Sequence, residues 1–268
     1  MKSFLFLLLV TFSWNAFSQE ITEENFRKAD SLIWMEYDRA MDFIDSCRKK
    51  CPGLEDQLKV QKRRIYTIAD RKNTENAIRF AATPGGLQRL FWIRAKVSKD
   101  TLTSILKGLP LEMQNSPYGK SLLMHINTKQ IQKQDHCYDF KATTVDGEEF
   151  SLASLRGKMV LLIYDGLGCM GQHGRDYLYD LYQKTSRDDL EIVVYGVCSD
   201  LEDLREMQAR YPYGYIFISD FLEDHSPIKI IYGTQAMPTC FLIDREGIVR
   251  LKSEGLDSER LDELLQRV

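Results

Sequence analysis

Met159-Val160-Leu161-Leu162-Ile163-Tyr164-Asp165-Gly166-Leu167-Gly168-Cys169-Met170-Gly171-Gln172-His173 carries the strongest structural signal in the 268-residue chain. Met159 to Tyr164 is an unbroken apolar run, the mark of a strand covered on both faces. A helical pattern follows from about Met170 to Tyr182. Glu191 to Cys198 is a second buried strand, succeeded by a charged helix near Leu201 to Ala209. Tyr215 to Ile218 is a short strand and Pro227 to Tyr232 a short helix. Cys240 to Ile243 and Ile248 to Leu251 flank Asp244-Arg245-Glu246-Gly247 as a hairpin, and Leu256 to Val268 closes the chain as a helix. Upstream, Tyr138 to Phe150 holds Asp146-Gly147 between β-favouring residues, another hairpin signal. Strands alternating with helices predict an α/β domain with a mixed central sheet over 135–268.

Before Gln134 the period is helical. Thr22 is a candidate N-cap, with Glu23 and Glu24 in the turn where the helix dipole favours acids. Phe26, Ala29, Ile33, Tyr37, Ala40, Ile44 and Cys47 mark one buried face. Pro52-Gly53 stops that helix. A second is expected from Leu54 through Ile68, and a third over Ala77 to Phe80, with Pro84-Gly85-Gly86 as a breaker. Two more centre on Leu87–Ile93 and Leu102–Leu106. The last starts at Ser116-Pro117, serine as cap and proline at the first helical position. The expected organisation is a leader over 1–18, an all-α domain over 19–134 and the α/β domain.

The leader rests on Lys2, the apolar run Phe4 to Val10 and the small-x-small site Ala16-Phe17-Ser18. A buried first helix and a membrane anchor are the competing readings. The run falls short of the ~20 residues that cross a bilayer, so a cleaved signal peptide is favoured, with no stable membrane span afterwards. Residues 1–18 hold Lys2 and no acid, so cleavage takes the formal charge from −3 to −4. That small charge, with no basic stripe, argues against nucleic acid as a partner. Export places the protein in a periplasmic or extracellular compartment where disulfides form. All six cysteines, Cys47, Cys51, Cys137, Cys169, Cys198 and Cys240, then need a redox reading.

Four landmarks together resemble the thioredoxin-like fold, in its TlpA/ResA and AhpC/TSA branch. Phe150-Ser151-Leu152-Ala153-Ser154-Leu155-Arg156-Gly157-Lys158 resembles the segment that enters the central strand there. Met159 to Asp165 followed by Gly168-Cys169 resembles strand, turn and active-site cysteine. Gly233-Thr234-Gln235-Ala236-Met237-Pro238-Thr239 resembles the loop whose proline is cis, and Phe241-Leu242-Ile243-Asp244-Arg245-Glu246-Gly247 the hairpin after it. The helical half before such a domain is similar to exported thioredoxin-like proteins of Bacteroidota.

The resemblance implies thiol–disulfide chemistry with Cys169 as nucleophile and Pro238 positioning a substrate backbone. A thiolate at a helix N-terminus is stabilised by unpaired N–H groups and the helix dipole. It attacks a disulfide, and a second cysteine three residues on resolves the product. Here Gln172 holds that second position, and Gly168 replaces the tryptophan common before the first cysteine. A self-contained dithiol cycle is excluded on this alignment. Three readings stay open. Cys169 is a reactive monothiol, with His173 one turn on and an outside thiol, Cys240 or Cys198 resolving its mixed disulfides. Or it is an inert residue of a binding module for a peptide or partner protein. Or Cys169 and His173, on one helix face, begin a soft-metal site, for which two ligands are too few. No cofactor or metal is expected. The expected partners are a protein or peptide thiol or disulfide and an external reductant.

Peroxiredoxins of this superfamily carry proline seven residues before the cysteine and Thr or Ser three before it. Leu162 and Gly166 stand there, which argues against peroxidase activity. Cys47 and Cys51 are one helical turn apart; parallel side chains set an S–S bond poorly, since it needs Cβ atoms about 3.8 Å apart. Pairing of Cys137, in the linker, is left open. Asp200, Glu202 and Asp203 read as a helix first turn rather than a calcium loop.

Overall fold

A computed structural model describes residues 20–50 and 53–266. The leader and Cys51-Pro52 lie outside the described residues. By contacts the chain divides into two compact units between Leu87 and Gln88.

In the first unit, α1 (Glu23–Lys50) and α2 (Glu55–Arg79) are the long elements. Thr22 Oγ1 accepts from the Asn25 amide at 3.2 Å, and Arg48, Lys49 and Lys50 fill the last turn of α1, as the dipole favours. Phe26, Ile33 and Ile44 are buried on α1, and Ala69, Asn73, Asn76 and Ala77 on α2. The Lys62–Asp45 pair at 2.6 Å and the Lys72–Glu36 pair at 3.0 Å join the two helices. The separate helix expected over Ala77–Phe80 is the end of α2. No glycine or proline interrupts 54–80, and the buried Asn73 and Asn76 hid the apolar period there.

Pro84-Gly85-Gly86, expected as a breaker, instead opens α3 (Pro84–Trp92). Proline suits the first helical position, and the Gly86 amide donates to Thr83 Oγ1 at 3.1 Å. A Cβ on Gly86 would fall 1.9 Å from the Phe80 carbonyl oxygen, so only glycine fits that approach.

The second unit continues with α4 (Lys99–Gly108), α5 (Leu111–Asn115) and α6 (Pro117–Asn127). Ser98 and Ser116 cap α4 and α6 by accepting from the Thr101 and Gly119 amides. These helices belong to the same compact unit as the sheet. Trp92 Nε1 and the Tyr118 hydroxyl donate to Asp224, and Ser121 bonds His225 at 3.0 Å. The sequence pattern puts the boundary at 134; the compact unit that carries the sheet starts at Gln88.

The strands are β1 (Lys141–Thr144), β2 (Glu149–Ser151), β3 (Met159–Tyr164), β4 (Leu190–Tyr195), β5 (Ile216–Ser219), β6 (Thr239–Ile243) and β7 (Val249–Glu254). They form one mixed sheet among the described residues, in the order β2-β1-β5-β4-β3-β6-β7. β3 and β4 run parallel, as do β4 and β5; β6 is antiparallel to both β3 and β7. Helices α7 (Gly171–Lys184), α8 (Leu201–Arg210), α9 (Pro227–Ile231) and α10 (Ser258–Leu265) complete the unit.

Every residue of β3 and β4 is buried, and their side chains alternate between two cores. Val160, Leu162 and Tyr164 join Val193, Tyr195 and Phe241 on one face. Met159, Leu161 and Ile163 join Ile192, Cys240 and Leu178 of α7 on the other. The fold is α/β and thioredoxin-like, and β3 delivers the chain to the turn that holds Cys169. No helix of the described residues is long and apolar enough to cross a membrane.

Candidate active site at Cys169

β3 ends at Tyr164, and the backbone turns sharply. Asp165 and Gly166 both take positive φ, 50° and 76°. The Cys169 amide closes the turn on the Gly166 carbonyl at 2.9 Å. Cys169 is exposed, one residue ahead of Met170, the N-cap of α7.

Cys169 lines a pocket of about 270 Å³ with Met170, His173, Tyr177, Pro238 and Leu256. Pro238 approaches from the loop before β6; the Met237–Pro238 peptide is cis. Met237 is exposed, whereas Pro238 is buried, its carbonyl accepting from the Gly255 amide at 2.8 Å. Tyr177, also in the lining, donates to Asp262 of α10 at 2.8 Å. Cys169, His173 and Pro238 are therefore brought together. No third His, Cys, Asp or Glu completes a metal cluster with Cys169 and His173 among the described residues.

The other candidates stand apart. Gln172 is exposed on α7, outside the pocket lining, donating to Asp176 at 2.7 Å and accepting from Arg175 at 2.9 Å. Cys240 is wholly buried in β6, opposite Ile163 of β3. Cys198 is also buried; β4 ends at Tyr195, so this cysteine lies in the loop beyond the strand to which the apolar pattern assigned it. Burial pushes both thiols up to about 12, with Asp165 and Asp203 adding to the effect at Cys198. Burial also raises the Cys137 thiol against a 3.1 Å contact from Arg156. Cys47, Cys137, Cys169, Cys198 and Cys240 are free thiols. The Cys47–Cys51 reading falls on a residue outside the described ones.

Four neighbours of the site escaped the sequence reading. Gly166 packs on the proline loop, Tyr177 and Leu256 line the pocket, and Asp165 sits half-buried in the turn. Burial raises the Asp165 carboxyl, opposed by hydrogen bonds from the Gly166 and Val197 amides. Where the family's tryptophan would stand, Gly168 faces Tyr211; a Cβ there would lie 2.8 Å from the Tyr211 hydroxyl. Asp200 caps α8, accepting from the Glu202 and Asp203 amides at 2.9 and 3.0 Å.

Residues 132–265, half of the chain, match the Redoxin family, and the chain belongs to it. The thioredoxin-like protein YneN of Bacillus subtilis is 26% identical over 147 residues, 54% of this chain and 86% of that protein. The thiol-disulfide oxidoreductase ResA of Bacillus thuringiensis is 28% identical over 132 residues, 48% of this chain and 75% of its own. A crystal structure of the thioredoxin domain of a thiol-disulfide oxidoreductase from Bacteroides vulgatus covers 52% of this chain and 99% of its own, at 18% identity and TM-score 0.46.

Proposed function

We propose that the chain is an exported thioredoxin-like protein that exchanges disulfides through a single cysteine, Cys169. One observation carries the reading. In a Redoxin-family domain, Cys169 is the exposed thiol of the pocket, and it shares that pocket with Pro238. The relatives named thiol-disulfide oxidoreductases support the class of reaction. The leader Lys2, Phe4–Val10, Ala16-Phe17-Ser18 supports export.

The chemistry follows from the thiols. The Cys169 thiolate attacks one sulfur of a substrate disulfide, forming a Cys169–substrate disulfide and expelling the other sulfur as a thiolate. Cys240 and Cys198 are poor resolving groups, buried and with thiols near 12. An external thiol therefore attacks the mixed disulfide, leaves with the substrate sulfur and returns Cys169 as thiolate. Net reduction takes a second equivalent of that thiol, which attacks the thiol–substrate disulfide, releases the substrate thiolate and leaves the reductant as its own disulfide.

Gln172 favours a second reading, a redox-inactive module that binds peptides in the same groove. The two separate on the Cys169→Ser variant, assayed for disulfide exchange between a mixed peptide disulfide and excess monothiol. Loss of the protein-catalysed rate supports chemistry. A wild-type protein no faster than buffer, with peptide binding intact in the variant, leaves the binding module.

A further inference from the structure

The turn that presents Cys169 is built from unusually free backbone. Gly166, Gly168 and Gly171 fall within six residues, and each glycine fixed in one conformation costs more entropy than any other residue. One main-chain bond, from the Cys169 amide to the Gly166 carbonyl, closes the turn from within. A second restraint comes from α7. Arg175 Nη1 donates to the Leu167 carbonyl at 3.3 Å and the Gly168 carbonyl at 3.5 Å, the two residues before Cys169. The same guanidinium donates through Nη2 to Gln172 Oε1 at 2.9 Å. Gln172 in turn donates to Asp176 Oδ1 at 2.7 Å, which fixes its amide orientation.

Resting on the proposed role of Cys169, we infer that Gln172 is a positioning residue. It occupies the place of a resolving thiol and holds Arg175 against the carbonyls of the turn that aims Cys169. The guanidinium suits this task because its donors form a rigid planar fork: one arm reaches the turn while the other is held by the glutamine. Charge-assisted bonds to carbonyls are stronger than neutral ones, which offsets the freedom of the glycines. Attack on a disulfide is sensitive to aim, because the incoming sulfur must approach a particular sulfur of the S–S bond. Alkylation by a small reagent such as iodoacetamide is much less so.

The test compares two rates at Cys169 in the full mature chain: exchange with a peptide disulfide, and alkylation by iodoacetamide. Gln172→Met keeps the size of the side chain and removes both hydrogen bonds; Gln172→Glu keeps the acceptor for Arg175. Exchange should slow about fivefold in Gln172→Met, within the range that small misplacements cause, while alkylation changes less than about twofold. Gln172→Glu should recover part of the exchange rate, since it keeps the acceptor for Arg175 but loses the bond to Asp176 and meets its carboxylate. Adding Arg175→Met to Gln172→Met should slow exchange no further, since both remove one strut. Equal slowing of both reactions, or an unchanged exchange rate in Gln172→Met, overturns the inference while leaving Cys169 chemistry standing. Absence of exchange in the wild-type protein overturns both.

Discussion

Gly166 and Pro238 meet backbone to backbone: a Cβ on Gly166 would lie 2.3 Å from the Pro238 nitrogen. That approach joins the turn after β3 to the loop before β6, and it is what places Cys169 and Pro238 on one pocket.

Gly166→Ala should break this junction. The added methyl collides with main chain that cannot step aside, at a φ of 76° that L residues rarely adopt. A cost of about 2–4 kcal/mol is expected. Urea unfolding should report it, together with loss of the pocket geometry seen as slower exchange at Cys169. A variant as stable and as reactive as wild type would show that the two loops are not in contact.

Asp165→Asn should stabilise the protein near neutral pH. Burial raises the folded-state carboxyl above its ordinary value, so its favourable protonated form is present below the unfolded value of about 4 and is lost as pH rises through the folded one. Asparagine is uncharged, tolerates the positive φ of 50° and keeps one acceptor oxygen for the Gly166 and Val197 amides that bond Asp165. A gain at pH 7 that shrinks toward pH 4 is the expected result of denaturant titrations, and equal stability of the two proteins at pH 7 would contradict it.

His125 acts in the opposite direction. It is buried on α6, and burial, then Arg94 and Lys99, push it down to about 4 from 6.5. The unfolded chain takes up the proton first on acidification, so the stability linked to this group is complete above about pH 6.5 and falls away toward pH 4. His125→Gln should flatten the wild-type pH dependence across that window. Parallel curves for the two proteins would contradict it.

Gln172→Cys should restore an intramolecular partner for Cys169. The substitution puts a second thiol three residues after Cys169, in the first turn of α7, where Gln172 is exposed. Mild oxidation should yield a disulfide between Cys169 and the introduced thiol by peptide mass mapping, and release of substrate from the mixed disulfide should no longer need added monothiol, which is then required only to reduce the new bond for another turnover. Failure to close that bond would mean that the two side chains diverge.

Much of this was legible in the chain itself. The apolar runs of β3 and β4 announced strands buried on both faces, and Ser116-Pro117 announced a helix start that the structure contains. Pro84-Gly85-Gly86 misled, because a breaker and a first helical turn share the same residues and only the approach of Gly86 to Phe80 tells them apart. The end of α2 misled because asparagines, not apolar residues, face inward there. At the site, Cys169, His173 and Pro238 could be named from local motifs. Gly166, Tyr177, Leu256 and Tyr211 could not, since their roles come from contacts made between distant parts of the chain or from positions with no chemistry of their own. Cys198 and Cys240 read as reserve thiols in the sequence; both are buried, and burial raises both thiols, which the sequence pattern does not reveal.

The central claim is that Cys169 is the thiol that meets substrate. Incubating the native protein with a peptide disulfide, quenching with acid and mapping the adduct by mass tests it most directly. The expected product is a mixed disulfide at Cys169, with Cys137, Cys198 and Cys240 modified only after unfolding, and it should disappear on adding external thiol. An untouched Cys169 in the folded protein, or an adduct formed first at a buried cysteine, would contradict the account.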